Sequence, residues 1–245
     1  MRSKLLSTAV AVFALSVAAA AAEGGHHWSY AGETGPSHWG GTCASGHAQS
    51  PIDIHPAEAV HETAPPLNFA YRPTPLHIVD NGHSIQVRVA DGGTLSVGGD
   101  RYTLVQFHFH KPSEEAIDGR HYDMVVHLVH QDAAGKLAVV AVPLTQGSEN
   151  PVIDSLWKYV PAEKEHEASP PGVTVDPTGL LPADRAYFTF TGSLTTPPCT
   201  EGVRWFVLRT PTAVSPGEVA VFGQHYPNDA RPVQPTNGRK VLASN

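Results

Sequence analysis

Twenty-two prolines and twenty-two glycines cut this chain into short pieces. Proline ends a helix and cannot donate within a sheet, so long helices are excluded over most of the length. Between the breaks lie apolar runs that alternate with period two, which is the pattern of strands. They are "SIQVRV" (Ser84–Val89), "RYTLVQFHFH" (Arg101–His110), "MVVHLVHQ" (Met124–Gln131), "KLAVVAVPL" (Lys136–Leu144), "AYFTF" (Ala186–Phe190) and "VRWFVLRT" (Val203–Thr210). Turn sequences such as "DNGH", "DGG", "GGD" and "DAAGK" separate them. Two segments read as helices. Asn150-Pro151 opens "VIDSLWKYV", which stops at Pro161, and Ser215-Pro216-Gly217-Glu218 spells a capping box with proline at the first helical position. The expected class is mainly β (α+β): a single domain on a large, mostly antiparallel β-sheet with short peripheral helices. "PAEKEHEASPPG" (Pro161–Gly172) reads as a charged surface loop.

The N-terminus reads as an export leader. Arg2 and Lys4 precede an apolar run from Leu5 and a series of alanines, which gives a signal peptide over 1–22 and a mature domain over 23–245. The rival, a membrane anchor, is borderline in length and ends in small residues followed by polar sequence. Without Arg2 and Lys4 the chain has 14 basic and 23 acidic residues, a net charge of −9. Nucleic acid and anionic lipid are therefore poor partners. No later apolar run approaches spanning length, so the mature form is expected off the membrane. Cys43 and Cys199 both fall in the exported part. An even count in an oxidising compartment suggests one disulfide, with two separate buried thiols as the alternative.

In a strand, residues two apart share a face. Strict alternation puts Tyr102, Leu104, Gln106, His108 and His110 on one side, with Val105, Phe107 and Phe109 on the other. Phenylalanines suit a core, but two parallel imidazoles do not. On the next strand Val125, His127 and Val129 share a face and His130 points away. A third imidazole from that strand completes a three-histidine set for zinc with one position open, the arrangement of a catalytic site. Gln106 can hold an imidazole through its side-chain oxygen. The competing reading is a pair of satisfied core histidines. His26, His27, His38, His55, His61 and His166 read as surface residues. No H-E-x-x-H, G-x-S-x-G or P-loop pattern occurs, and "SLWK" (Ser155–Lys158) lacks its companion motifs.

Longer motifs carry a resemblance. "QFHFH" followed by "PSE", then "HLVH" and "GSLTTPPCTEGVRW", together with "HHWSYAGETGPSHWG", "QSPIDI" and "NGHSIQV", strongly resemble the α-class carbonic anhydrases, especially exported bacterial ones. The matches run in family order from Trp28 to about Arg231. The resemblance implies a Zn2+ enzyme interconverting carbon dioxide and bicarbonate through attack by zinc-bound hydroxide. By motif position it implies His108, His110 and His127 as ligands. Thr195 is implied as the acceptor of the nucleophile's proton and Glu114 as the acceptor from that Thr. It also implies His83 as proton shuttle, Tyr30 and Thr196 in the pocket, and Val129, Val139, Leu194, Val203 and Trp205 as the apolar wall. Cys43 and Cys199 match the bridge of exported members. The implied location is periplasmic or secreted, and a homodimer is one assembly left open.

Three positions depart from the family pattern. Glu115 stands where a His is frequent. Val125 replaces a common Glu two residues before the third ligand, and Phe190 replaces a Tyr. The missing carboxylate at 125 bears on metal affinity. Two other functions compete: a silent relative acting as a binding module, disfavoured by the intact histidine set, and a zinc esterase.

Overall fold

The structure is a computed structural model that describes residues 27–244. The expected leader at 1–22 lies outside the described residues, as does His26. Ten strands are needed to place the site: β1 (Val60–Glu62), β2 (His77–Asp80), β3 (Ile85–Arg88), β4 (Asp100–His110), β5 (Met124–Gln131), β6 (Leu137–Gln146), β7 (His166–Ala168), β8 (Tyr187–Ser193), β9 (Glu201–Leu208) and β10 (Leu242–Ser244). They form a continuous path through a 13-stranded sheet in the order β7-β2-β3-β4-β5-β6-β9-β8-β10-β1. The β6–β9 and β10–β1 pairs are parallel. The other pairs on the path are antiparallel. The expected class holds, with the sheet mixed at those two joints.

The sheet separates two apolar clusters. Phe107, Phe109, Met124, Val126, Leu128, Val140 and Val142 belong to the larger one. The smaller contains Ile52, Ile54, Val125, Val129, Val139, Ala141, Val203 and Trp205. Each fully buried large side chain contributes about 1.5–3 kcal/mol by leaving water. Alternation along β5 is strict: Met124, Val126 and Leu128 face the larger cluster, Val125 and Val129 the smaller.

Alternation along β4 is not strict, which corrects the expected faces of Tyr102, Leu104 and Val105. The β4–β5 register shifts between Val129, opposite Gln106, and His130, opposite Leu104. Val105 is the extra residue of a β-bulge, and a bulge reverses the parity of everything beyond it. Tyr102 and Leu104 therefore join Phe107 and Phe109 in the larger cluster, while Val105 packs against the smaller.

The helices are short: α1 (Thr42–Ser45), α2 (Pro151–Trp157) and α3 (Pro216–His225). Asn150 caps α2, its Oδ1 accepting from Val152 N at 3.0 Å and Ile153 N at 3.3 Å. α2 ends at Trp157, short of the expected Pro161, with Lys158 as its C-cap. The capping box of α3 forms as expected: Ser215 Oγ accepts from Glu218 N, and Glu218 Oε2 accepts from Ser215 N. Ile153, Leu156, Val219 and Phe222 bury these helices on the larger cluster. That leaves the smaller cluster's side for a cleft.

Candidate active site

His108 and His110 project from the last three residues of β4, beyond the bulge, toward the smaller cluster. On β5, His127 stands directly opposite His108, and Val125 opposite His110. Parity and register together bring one ring nitrogen of each histidine within 4.8 Å of the other two. His110 and His127 are buried. His130, one strand pleat out of phase, faces the other way: its Nε2 pairs with Tyr71 Oη at 2.6 Å, and its ring stacks on that tyrosine. His27, His38, His55, His61 and His166 are exposed, as expected.

Each ligand-type imidazole has its outward nitrogen engaged. His108 Nδ1 meets Gln106 Oε1 at 2.8 Å. His110 Nδ1 donates to the Asp229 carbonyl at 2.8 Å. His127 Nε2 lies 3.1 Å and 3.3 Å from the two carboxylate oxygens of Glu115. An outward N–H leaves the inward nitrogen with a lone pair. His110 Nε2 is buried without a hydrogen-bond partner, which is the condition of an atom whose partner is an ion. Burial lowers the pKa of His108 to about 3 and that of His110 well below the imidazole range, so both rings are neutral, as ligation requires. Burial acts in the same direction on His127, but the Glu115 and Glu114 carboxylates outweigh it and raise its pKa. The donor set therefore fits a divalent ion that prefers nitrogen.

Glu114 is fully buried behind the histidines, its Oε1 accepting from Arg231 N at 2.8 Å and its Oε2 3.5 Å from His110 Nε2. Burial pushes its carboxyl up to about 7, against the opposing influence of His127, the nearby Thr195 side chain and the Arg231 N–H. Thr195 follows β8 on a loop pinned at several points. Ser50 N donates to Ser193 Oγ at 2.9 Å, and Ser193 N to Ser50 Oγ at 3.1 Å. A Cβ on Gly192 would collide with Ser50 Oγ, so this approach needs glycine. The Cys43–Cys199 disulfide, with Cα atoms 5.0 Å apart, fastens the far end of the loop to α1. This settles the cysteine question in favour of the bridge.

The histidines open into a cleft of about 240 Å³. Val129, Val139, Leu194 and Trp205 supply its apolar wall, and Tyr30, Gln106, Thr195 and Thr196 also line it. Val203 does not line the cleft. It packs within the smaller cluster behind the wall. His83 sits at the cleft on an Asn81 turn, where Asn81 Oδ1 accepts from the N–H groups of His83 and Ser84. Its ring stacks on Trp28, with centroids 3.6 Å apart. Partial burial, followed by the neighbouring His27 and Lys164, lowers its pKa. Phe190 stacks parallel to Trp205, so the position without a hydroxyl has become part of the apolar support.

Several residues at the site were not read from the sequence. Asn81 and Gln86 line the cleft. Asp229 holds His110 through its carbonyl and accepts from Lys111 N at 2.7 Å. The Arg231 guanidinium donates to Gln49 Oε1, Ser50 O and Cys43 O. Asp229 lies 119 residues from His110 and Arg231 lies 117 from Glu114, so no local pattern marks these pairings.

A family model described as eukaryotic-type carbonic anhydrase matches residues 34–245. A carbonic anhydrase of Klebsiella pneumoniae is 44% identical over 227 residues, covering 88% of this chain and 90% of that one. A carbonic anhydrase of Neisseria gonorrhoeae is 41% identical over 246 residues, covering 96% and 95%. Among solved structures, the α-carbonic anhydrase of Thermovibrio ammonificans, in complex with the inhibitor sulfanilamide, superposes with a TM-score of 0.85 at 41% identity. That match covers 89% of this chain and all of the other. The chain is an enzyme belonging to the α-class carbonic anhydrase family.

Proposed function

We propose that the chain hydrates carbon dioxide reversibly at a zinc ion held by His108, His110 and His127, with His83 carrying the released proton. The observation that carries this reading is the convergence of three imidazole nitrogens at the floor of a cleft with an apolar wall. Three imidazole nitrogens with one coordination position left open form a donor set for catalytic zinc. Bound zinc supplies water acidified to a pKa of about 7, a value established on carbonic anhydrase itself.

The protein's own groups do the rest. In this reading Thr195 directs its hydroxyl hydrogen to the Glu114 carboxylate, whose Oε2 is buried without another hydrogen-bond partner. The Thr195 oxygen is then left to accept a hydrogen bond from the cleft, which orients the attacking oxygen's free lone pair toward the substrate. Val129, Val139, Leu194 and Trp205 offer an uncharged surface to an uncharged, apolar gas. Hydration produces bicarbonate and one proton. His83, at the cleft and with a free imidazole edge, accepts that proton and passes it to solvent or buffer. His83 must be neutral to do so, which its lowered pKa favours at neutral pH.

The proposed setting is outside the cytoplasm, with residues 1–22 removed and 23–245 forming the catalytic domain. The Cys43–Cys199 disulfide supports an oxidising compartment. Among the described residues no helix is long and apolar enough to cross a membrane. The net charge of −7 for the whole chain argues against nucleic acid as a partner.

The ligand set is tested by metal analysis of alanine variants. His108→Ala, His110→Ala and His127→Ala are expected to lose zinc, and His130→Ala to retain one per chain. Zinc-free His130→Ala beside zinc-loaded His127→Ala would overturn the assignment.

A further inference from the structure

Of the three histidines, only His127 hydrogen-bonds a carboxylate through its outward nitrogen; the Asp229 Oδ2 carboxylate oxygen stands 3.8 Å from His110 Nδ1, beyond hydrogen-bond reach. His108 and His110 give their outward nitrogens to neutral acceptors, the Gln106 amide and the Asp229 carbonyl. His127 Nε2 lies between Glu115 Oε1 and Oε2 at 3.1 and 3.3 Å, and both residues are buried, at 1% and 3% exposure. No other side-chain donor reaches the Glu115 carboxylate among the described residues. On the strand itself His127 has no such support. Val125 shares its face two residues earlier, is fully buried, and presents only methyl groups.

We propose that Glu115 is the positioning residue of the third ligand, supplying from the loop after β4 the carboxylate that β5 lacks. The inference rests on the zinc reading above. A carboxylate on the far nitrogen fixes which nitrogen carries the proton and holds the ring plane. It also makes the inward nitrogen a stronger donor, because a hydrogen bond to an anion pushes electron density through the ring. Glu115 is held for this task. Ser113 Oγ donates to its carbonyl at 2.8 Å, and Ser113 N to Tyr122 O at 3.0 Å, so the short loop cannot slide. Glu114 and Glu115 thus divide the work. The first serves Thr195 and the second serves His127, although they are adjacent in sequence.

The test is zinc affinity, measured by competition with a chromophoric chelator on metal-free protein whose fold is checked by circular dichroism. Glu115→Ala is expected to weaken zinc binding by about 10–100-fold, the usual effect of losing such a partner. Glu115→Gln, which keeps the shape and an acceptor oxygen but no charge, is expected to weaken it by less. Adding Val125→Glu to Glu115→Ala is expected to recover most of the affinity, since positions 125 and 127 share a face. Recovery by a relocated carboxylate is an effect that a merely space-filling Glu115 does not produce. Folded Glu115→Ala and Glu115→Gln proteins that bind zinc within about twofold of wild type would overturn the proposal and leave the zinc site standing. A wild-type protein that binds no zinc would end both readings.

Discussion

His130 is the histidine that the fold uses as a neutral hydrogen-bonding core residue, and its burial makes a measurable claim about acid stability. The ring is fully buried, with Nε2 paired to Tyr71 Oη at 2.6 Å and Nδ1 to the Ala138 carbonyl at 3.3 Å. A neutral imidazole satisfies both contacts, donating to the carbonyl and accepting from the phenol. A cation would offer N–H to both and forfeit the phenol's donated bond. Burial accordingly lowers its pKa to about 4. The unfolded chain takes up this proton below about 6.5, while the folded protein refuses it until about 4. The stabilisation is therefore complete above pH 6.5 and is lost as the pH falls toward 4. Proton linkage converts this gap into a loss of about 2 kcal/mol of stability at pH 5 and almost none at pH 7.5. The perturbation is His130→Phe, which keeps the ring volume and removes the titration. Equilibrium urea unfolding of the metal-free proteins, disulfide intact, gives the difference in stability at each pH, and the other histidines cancel between the two. Stranding the Tyr71 hydroxyl makes the variant less stable at pH 7.5, and the deficit should shrink or reverse by about 2 kcal/mol at pH 5. A deficit unchanged between the two pH values would show that His130 does not resist protonation in the folded protein.

Removing the disulfide by Cys43→Ser with Cys199→Ser should cost up to about 5 kcal/mol in the chain-entropy account of so long a closed loop. The sequence separation is 156 residues. Chemical unfolding of the two proteins checks this, and a loss under 1 kcal/mol would refute it. His83→Ala should lower kcat in weak buffer about 10–100-fold and leave kcat/KM nearly unchanged, with imidazole restoring the rate. In the wild type, weak-buffer kcat for hydration should rise with pH through a midpoint below the usual imidazole value, since the acceptor must be neutral. A midpoint above 6.5, or equal losses in kcat and kcat/KM, would refute the shuttle assignment.

Much of this fold was legible because its strands announce themselves locally. "MVVHLVHQ" forms a strand from Met124 to Gln131 as read, and the capping box at Ser215 forms as written. The histidine pair was legible for the same reason, since period two fixes the side on which two imidazoles emerge. Alternation failed at Val105, where one extra residue reverses the faces of Tyr102 and Leu104. A bulge leaves no mark in residue types, because Leu104, Val105 and Phe107 all suit a core on either face. Asp229, Arg231 and Gln49 were illegible because their contacts depend on distant segments meeting behind the site. Glu115 was visible as a departure from the family pattern. Its partner was not, because the direction of a loop carboxylate follows from the turn at Ser113 and not from strand parity.

The central claim is that zinc on three histidines makes this cleft a carbon dioxide hydratase. The most direct measurement is stopped-flow carbon dioxide hydration during zinc titration of the metal-free protein. The rate should rise in proportion to added zinc and break at one zinc per chain. A folded protein that takes up one equivalent of zinc and shows no hydration above the buffer rate would contradict that claim.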